Sequence, residues 1–194
     1  MLGVKRMNEP RKKDLRVVKT ERAIYRALIE LLQKKELEKI TVSELAELAE
    51  INKATFYLHY ADIYTLYQDA LARHISEMID ELGLLDHMLN DPEEFARRLV
   101  CDFFNPAKMS KDPFFHDRNY VYNRTISWHI CNAFTDRAIA CDIIPETREN
   151  ILKLEFFFTG IAFLRHDHSA DDNEMIIQVI ADNIRNSFGD RLLK

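Results

Sequence analysis

The run Asn52-Lys53-Ala54-Thr55-Phe56-Tyr57-Leu58-His59-Tyr60 holds the side chains in this chain best suited to recognition chemistry. Lys53, Tyr57 and His59 carry donors that can meet anionic phosphate oxygens, and Thr55 offers a hydroxyl to base edges or a methyl to thymine. Asn52 is a preferred N-cap, and a helix beginning there turns backbone N–H groups and Lys53 toward an anion. Wound as a helix, the run places Phe56 and Tyr60 one turn apart as anchors and turns the residues between them outward. This is the chemistry of binding rather than of bond making. The chain has no P-loop, no glycine-rich phosphate cradle, no H-E-x-x-H and no nucleophile elbow, so it is not expected to be an enzyme. No metal site and no cofactor are expected. His166-Asp167-His168, with Asp171 and Asp172, sits where an interhelical turn is expected, and such residues there are usually solvated or capping.

The elements that must position this run are legible upstream. From Leu15 to Lys34, Val17, Ile24, Leu28, Leu31 and Leu32 recur at helical spacing, with Lys19, Arg22 and Arg26 largely on the other side. A polar turn follows. Thr41-Val42-Ser43-Glu44 is then a capping box, in which the threonine oxygen and the glutamate each satisfy an orphan backbone N–H. It opens a helix from Val42 to Ala49. Glu50-Ile51 turns the chain, the next helix runs from Lys53 to about Tyr60, and Asp62 caps a fourth that reaches about Leu84. Two short helices joined by a tight connection cross at roughly 90–120°, which leaves the second free to enter a major groove. Spacing alone would also suit a plain helical bundle.

Composition and charge narrow the class. The chain has 194 residues, 47% of them hydrophobic, with only 4 Gly and 5 Pro, which favours helices over turn-rich strands. No apolar run is long enough to span a membrane, and no apolar stretch precedes Pro10 as a secretory signal would require, so a cytoplasmic location and no membrane partner are expected. The formal charge is −5 but unevenly spread: residues 1–75 hold 14 Lys/Arg against 11 Asp/Glu, and residues 76–194 hold 13 against 21. The basic end would meet DNA while the acidic body would be repelled by it. Cys101, Cys131 and Cys141 form no CxxC pair and lie in apolar surroundings, so buried, reduced thiols are expected.

The remainder also reads as helix. Asp91-Pro92-Glu93-Glu94 is a start signal for a helix to about Phe104. The two prolines of NPAKMSKDP suggest a loop. Further helices are expected from about Asp117 to Ala140 and from Pro145 to about Arg165. A last one, opened by Ser169-Ala170-Asp171-Asp172, should run to Phe188, with Gly189 ending it.

The segment Ile40-Thr41-Val42, Leu45-Ala46, Ala49-Glu50-Ile51-Asn52 and Ala54-Thr55-Phe56-Tyr57-Leu58-His59-Tyr60, with Leu66 beyond, closely resembles the DNA-binding domain of the TetR/AcrR family of regulators. The resemblance covers about residues 15–70. It implies an all-α fold, with an N-terminal three-helix helix-turn-helix DNA-binding domain followed by a helical ligand-binding and dimerisation domain. The expected divisions are a flexible basic arm over 1–14, the DNA-binding domain over 15–70 and the effector and dimer domain over 71–194. By the resemblance Thr41 caps the support helix, Asn52, Lys53 and Ala54 begin the recognition helix, Thr55 and Leu58 face bases, and Tyr57 and His59 contact phosphates. Two positions depart from the pattern: Glu50 stands where glycine is usual in the turn, and Ile63 where lysine often contacts phosphate.

In the second domain the resemblance implies a homodimer through the last two long helices. The expected interface is Phe157, Ile161, Leu164, Ile176, Ile180 and Ile184, with Gly160 allowing close approach. Tyr122, Trp128, His129 and Asn132 are candidates to line a pocket for an unknown small-molecule effector, amid aromatics that include Phe103, Phe104, Phe114, Phe115, Phe134 and Phe156. The expected function is operator binding to double-stranded DNA by a regulator, in the first place a repressor controlled by a small molecule or partner. A transcriptional activator, or a protein-partnered regulator without a ligand, is the alternative.

Overall fold

A computed structural model describes residues 15–115, 124–167 and 170–189. The arm over 1–14, Tyr122, His116, His168 and Ser169 lie outside the described residues, as do the side chains of His166 and Asp167. All regular structure among the described residues is helical. The chain divides into two compact units, Met1–Tyr67 and Gln68–Lys194.

In the first unit, α1 (Leu15–Leu32) is strongly amphipathic and buries Ile24, Ala27, Leu28, Leu31 and Leu32. Full burial of one such leucine contributes about 1.5–3 kcal/mol. A 3-10 turn at Leu37–Lys39 leads to α2 (Val42–Leu48) and α3 (Lys53–His59). Helix α1 packs on α2, and α2 on α3. Leu45 and Ala46 of α2 and Phe56 of α3 are buried with Ile40 and Ala49. Helix α4 (Ile63–Glu81) begins where Asp62 Oδ1 accepts the Thr65 N–H at 2.7 Å. That bond holds the Asp62 carboxyl below its ordinary value.

In the second unit, α4 stops at Glu81 rather than Leu84. Gly83 adopts φ +56°, a left-handed conformation that glycine enters without steric cost, and a separate short helix α5 (Leu84–Met88) follows. Helix α6 (Pro92–Arg98) starts as expected, with Asp91 Oδ1 accepting the Glu94 N–H at 3.1 Å. It continues as a π-helical stretch, Leu99–Phe103, closed by Phe104 N–H on the Leu99 carbonyl at 2.9 Å. The wider turn keeps Leu99, Val100, Phe103 and Phe104 buried together.

The expected loop over residues 105–113 contains a helix, α7 (Pro106–Met109). Asn105 Oδ1 accepts from the N–H groups of Ala107 and Lys108, and Pro106 fills the first helical position, the same cap-plus-proline signal that starts α6. Helix α8 is described over Arg124–Ala140. Helix α9 (Arg148–Asp167) starts three residues later than expected, since Thr147 Oγ1, accepting the Asn150 N–H, provides its cap. Helix α10 (Asn173–Phe188) follows a 3-10 turn at Ala170–Asp172 and ends before Gly189, which is right-handed at φ −66° rather than left-handed.

Helix α10 lies on α6, α5 packs on α6, and α9 packs on α8 and α10. Phe95, Phe134, Phe157 and Phe158 join α6, α8 and α9 through ring pairs with centroids 4.9–6.2 Å apart. Arg97 ties α6 to α10 through a two-pronged contact with Glu174, at 2.8 and 3.3 Å. Arg137 of α8 pairs with Asp80 of α4.

The expectation of three buried thiols is corrected: only Cys131 is buried, while Cys101 is half-buried and Cys141 exposed. Cys141 follows the last residue of α8, where the chain turns out through Asp142 at φ +56°, so its side chain has left the buried face. Burial pushes the Cys131 thiol up.

Candidate nucleic-acid interface

The site is assembled by two N-caps, Thr41 and Asn52, and one left-handed residue, Glu50. Thr41 Oγ1 accepts the Glu44 N–H at 3.3 Å, and Glu44 is hydrogen-bonded in return to the Thr41 backbone, so both halves of the capping box form. The Glu44 carboxylate also takes Lys35 Nζ on both oxygens, at 2.5 and 2.6 Å. That contact is the main cause holding its carboxyl below the ordinary value, with the Thr41 bond adding to it. Lys35 thus ties the end of α1 to the start of α2. The pair spans an irregular turn, so no helical periodicity announces it in the sequence.

At the other end of α2 the chain turns through Glu50 at φ +55°. Glu50 N–H donates to the Glu47 carbonyl at 3.1 Å, and Ile51 N–H to the Ala46 carbonyl at 2.9 Å. This is a Schellman motif, whose left-handed position usually holds glycine. The glutamate therefore leaves the turn geometry intact and places a Cβ where the backbone disfavours one.

Asn52 then caps α3, its Oδ1 accepting the Thr55 N–H at 2.7 Å and the Thr55 hydroxyl at 2.9 Å. The hydroxyl proton of Thr55 is thereby occupied, leaving its lone pairs and methyl for other partners. Phe56 is 0% exposed and locks the rotation of the helix. Tyr57 meets it edge-on, with centroids 5.5 Å apart, and Tyr60 packs at 6.1 Å.

With Phe56 inside, the opposite face is set by the helical repeat. Lys53, Ala54, Tyr57 and Leu58 are exposed, Leu58 by 85% and Tyr57 by 57%. Thr55 and His59 are half-buried. His59 Nδ1 lies 3.8 Å from the Glu21 carboxylate of α1, a separation longer than a hydrogen bond. Ile63 is buried, which accounts for the missing lysine: here the position serves the core rather than a phosphate. Tyr64, beside it at the start of α4, is 54% exposed, a surface aromatic that hydrophobic periodicity gives no reason to single out.

The effector and dimer candidates are placed less simply. Trp128 and His129 form an edge-on ring pair 4.9 Å apart. His129 is buried and its imidazole is pushed down by that burial, Asn132 is half-buried, and Trp128 is 60% exposed rather than part of an aromatic core. Phe156 likewise faces out, at 80% exposure. Of the expected interface set, Ile161, Ile176, Ile180 and Ile184 are buried within the chain itself, and Phe157 and Leu164 are half-buried. The exposed apolar side chains of α9 and α10 are Leu152, Phe156, Phe163, Met175 and Val179. Between the two helices lies a groove with a cavity volume of about 150 Å³, with Ile161 and Ile180 among its lining residues. A Cβ at Gly160, which also lines it, would meet nothing within 4 Å.

No family model matches the sequence. Over 84 residues the chain is 36% identical to the uncharacterized HTH-type transcriptional regulator YxbF of Bacillus subtilis (strain 168), a match covering 43% of this chain and 21% of that protein. The chain thus spans about a fifth of the curated relative's length. Among solved structures it is similar to the TetR family repressor AlkX from Dietzia sp. strain DQ12-45-1b, implicated in biodegradation of n-alkanes. The TM-score is 0.60 at 13% identity, over 86% of this chain and 95% of that one. A TetR transcriptional regulator from Rhodococcus sp. RHA1 aligns with a TM-score of 0.53 at 19% identity, over 87% and 96% of the two chains. No described helix is long and apolar enough to cross a membrane. The chain therefore has the all-helical fold of the TetR-family transcriptional regulators, with a helix-turn-helix in its first unit.

Proposed function

We propose that this protein is a cytoplasmic, homodimeric transcriptional regulator that binds operator DNA by inserting α3 into the major groove. The observation that carries this is the form of α2 and α3: a helix capped at Thr41, a Schellman turn at Glu50, and a second helix pinned by Phe56 that exposes Lys53, Ala54, Tyr57 and Leu58. Tyr57 and Lys53 supply phosphate contacts, and Ala54, Thr55 and Leu58 face the base edges. Thr41 and Asn52 act by holding the two helices, and His59 adds a contact from the edge of the helix.

The dimer forms over the exposed apolar face of α9 and α10. Leu152, Phe156, Phe163, Met175 and Val179 contribute to it, above the groove that Phe157, Ile161, Leu164 and Ile180 help to line. The protein acts as a repressor by occupying its operator. A small molecule bound near His129 and Asn132 releases it, for which a differential affinity of about 1–3 kcal/mol between states suffices.

The test is fluorescence anisotropy on duplex DNA from upstream of its own gene, over a salt series, with the wild-type protein and Tyr57→Ala. Tight binding weakened by salt and by the substitution supports the reading. Absence of any salt-sensitive binding to DNA sinks it.

A further inference from the structure

We propose that each operator half-site presents a thymine whose 5-methyl group packs against Leu58, with Ala54 beside it, so that the centre of the base readout is apolar. This rests on the DNA-binding reading above and adds what the DNA must contain. With Phe56 wholly buried, the 3.6-residue repeat sets Ala54 and Leu58, one turn apart, on the line directly opposite the core. Lys53 and Tyr57 flank that line on one side and Thr55 on the other. The Thr55 hydroxyl donates to Asn52 at 2.9 Å, so its proton is not available to a base.

The outermost side chains of the helix thus have no hydrogen-bonding group. Leu58, at 85% exposure, contributes little to the core of its own unit. In the major groove the one apolar feature of the four standard bases is the thymine methyl, while guanine, adenine and cytosine present acceptors and amino groups. A polar edge placed against Leu58 would lose its water and gain nothing in return. A thymine there buries its methyl on the leucine instead.

The experiment enriches a binding site for the full-length protein from a random duplex pool. Each thymine of that site is then replaced in turn by deoxyuridine, which lacks only the methyl. At the thymine facing Leu58 the replacement should weaken binding about fourfold per half-site, the factor for burying one methyl. Leu58→Ala should bind the thymine site more weakly and show no further loss with deoxyuridine. Because the side chain is exposed, the variant should melt as the wild type does. If every thymine can be replaced without loss, or if Leu58→Ala suffers the same deoxyuridine penalty, the proposal is overturned while DNA binding stands. If no sequence is enriched and the protein does not bind duplex DNA, the DNA-binding reading itself fails, and the proposal with it.

Discussion

Replacing Glu50 by glycine should stabilise the first unit. Glu50 sits at φ +55° in the Schellman turn that ends α2, with its N–H and that of Ile51 committed to the Glu47 and Ala46 carbonyls. In the left-handed region a Cβ costs about 1–2 kcal/mol, and the greater backbone entropy that glycine loses on folding offsets about 0.5–1 kcal/mol of this, leaving a net gain between about 0 and about 1.5 kcal/mol, centred on about 0.75 kcal/mol. For a unit of this size the centre of that range corresponds to a thermal midpoint rise of about 3–6 °C, and to a matching rise in the urea midpoint. Two companion variants isolate the cause. Glu50→Ala keeps the Cβ and should gain little, and Glu50→Gln keeps the shape while removing charge next to Glu47. The assay is urea unfolding followed by circular dichroism, at unchanged slope, with hydrogen exchange of the 51–60 amides to locate the gain. If Glu50→Gly is no more stable than Glu50→Ala, or is less stable than wild type, the backbone argument is refuted.

Three further outcomes follow from the same contacts. Asn52→Ala removes the cap of α3 and should cost about 1 kcal/mol, with weaker DNA binding; an unchanged urea midpoint would show that the cap is idle. Glu44 is held below its ordinary value of 4.5 by Lys35, so its contribution is present above that value and is lost as pH falls through the lower folded value. The urea midpoint should therefore fall with acidification below 4.5, and Glu44→Gln should flatten that fall; identical pH profiles would refute the role of the pair. Phe156→Glu should yield helical monomers by sedimentation, whereas Ile180→Glu should unfold the second unit, because Ile180 is 2% exposed and an unpaired charge there is costly. Dimers persisting in Phe156→Glu would place the interface elsewhere.

The first unit was largely legible because its signals are local. A Thr-x-x-Glu box, an Asn cap and an aromatic pair one turn apart act over four residues or fewer, and the structure forms each of them. The amphipathic pattern of α1 needs only its own helix to declare its buried face. In the second unit α9 is apolar around much of its circumference, so its composition alone could not separate the face that packs inward from the face that stays exposed, whereas α10 is amphipathic and carries Met175 and Val179 outside its buried stripe. Ile176, Ile180 and Ile184 follow the helical repeat inward, but only tertiary packing decided that Phe156, Met175 and Val179 remain uncovered. Likewise Asn105-Pro106 carried the same start signal as Asp91-Pro92, but a second proline nearby made the stretch read as loop. The Lys35–Glu44 clamp and the Arg97–Glu174 bridge join residues that are distant or irregularly spaced in the chain, where no periodicity could mark them. The caps, the helix-turn-helix and its outward residues were thus readable from the order of residues along the chain. Which apolar surface becomes core and which stays exposed depended on packing, since burial is set by neighbours that local pattern does not name.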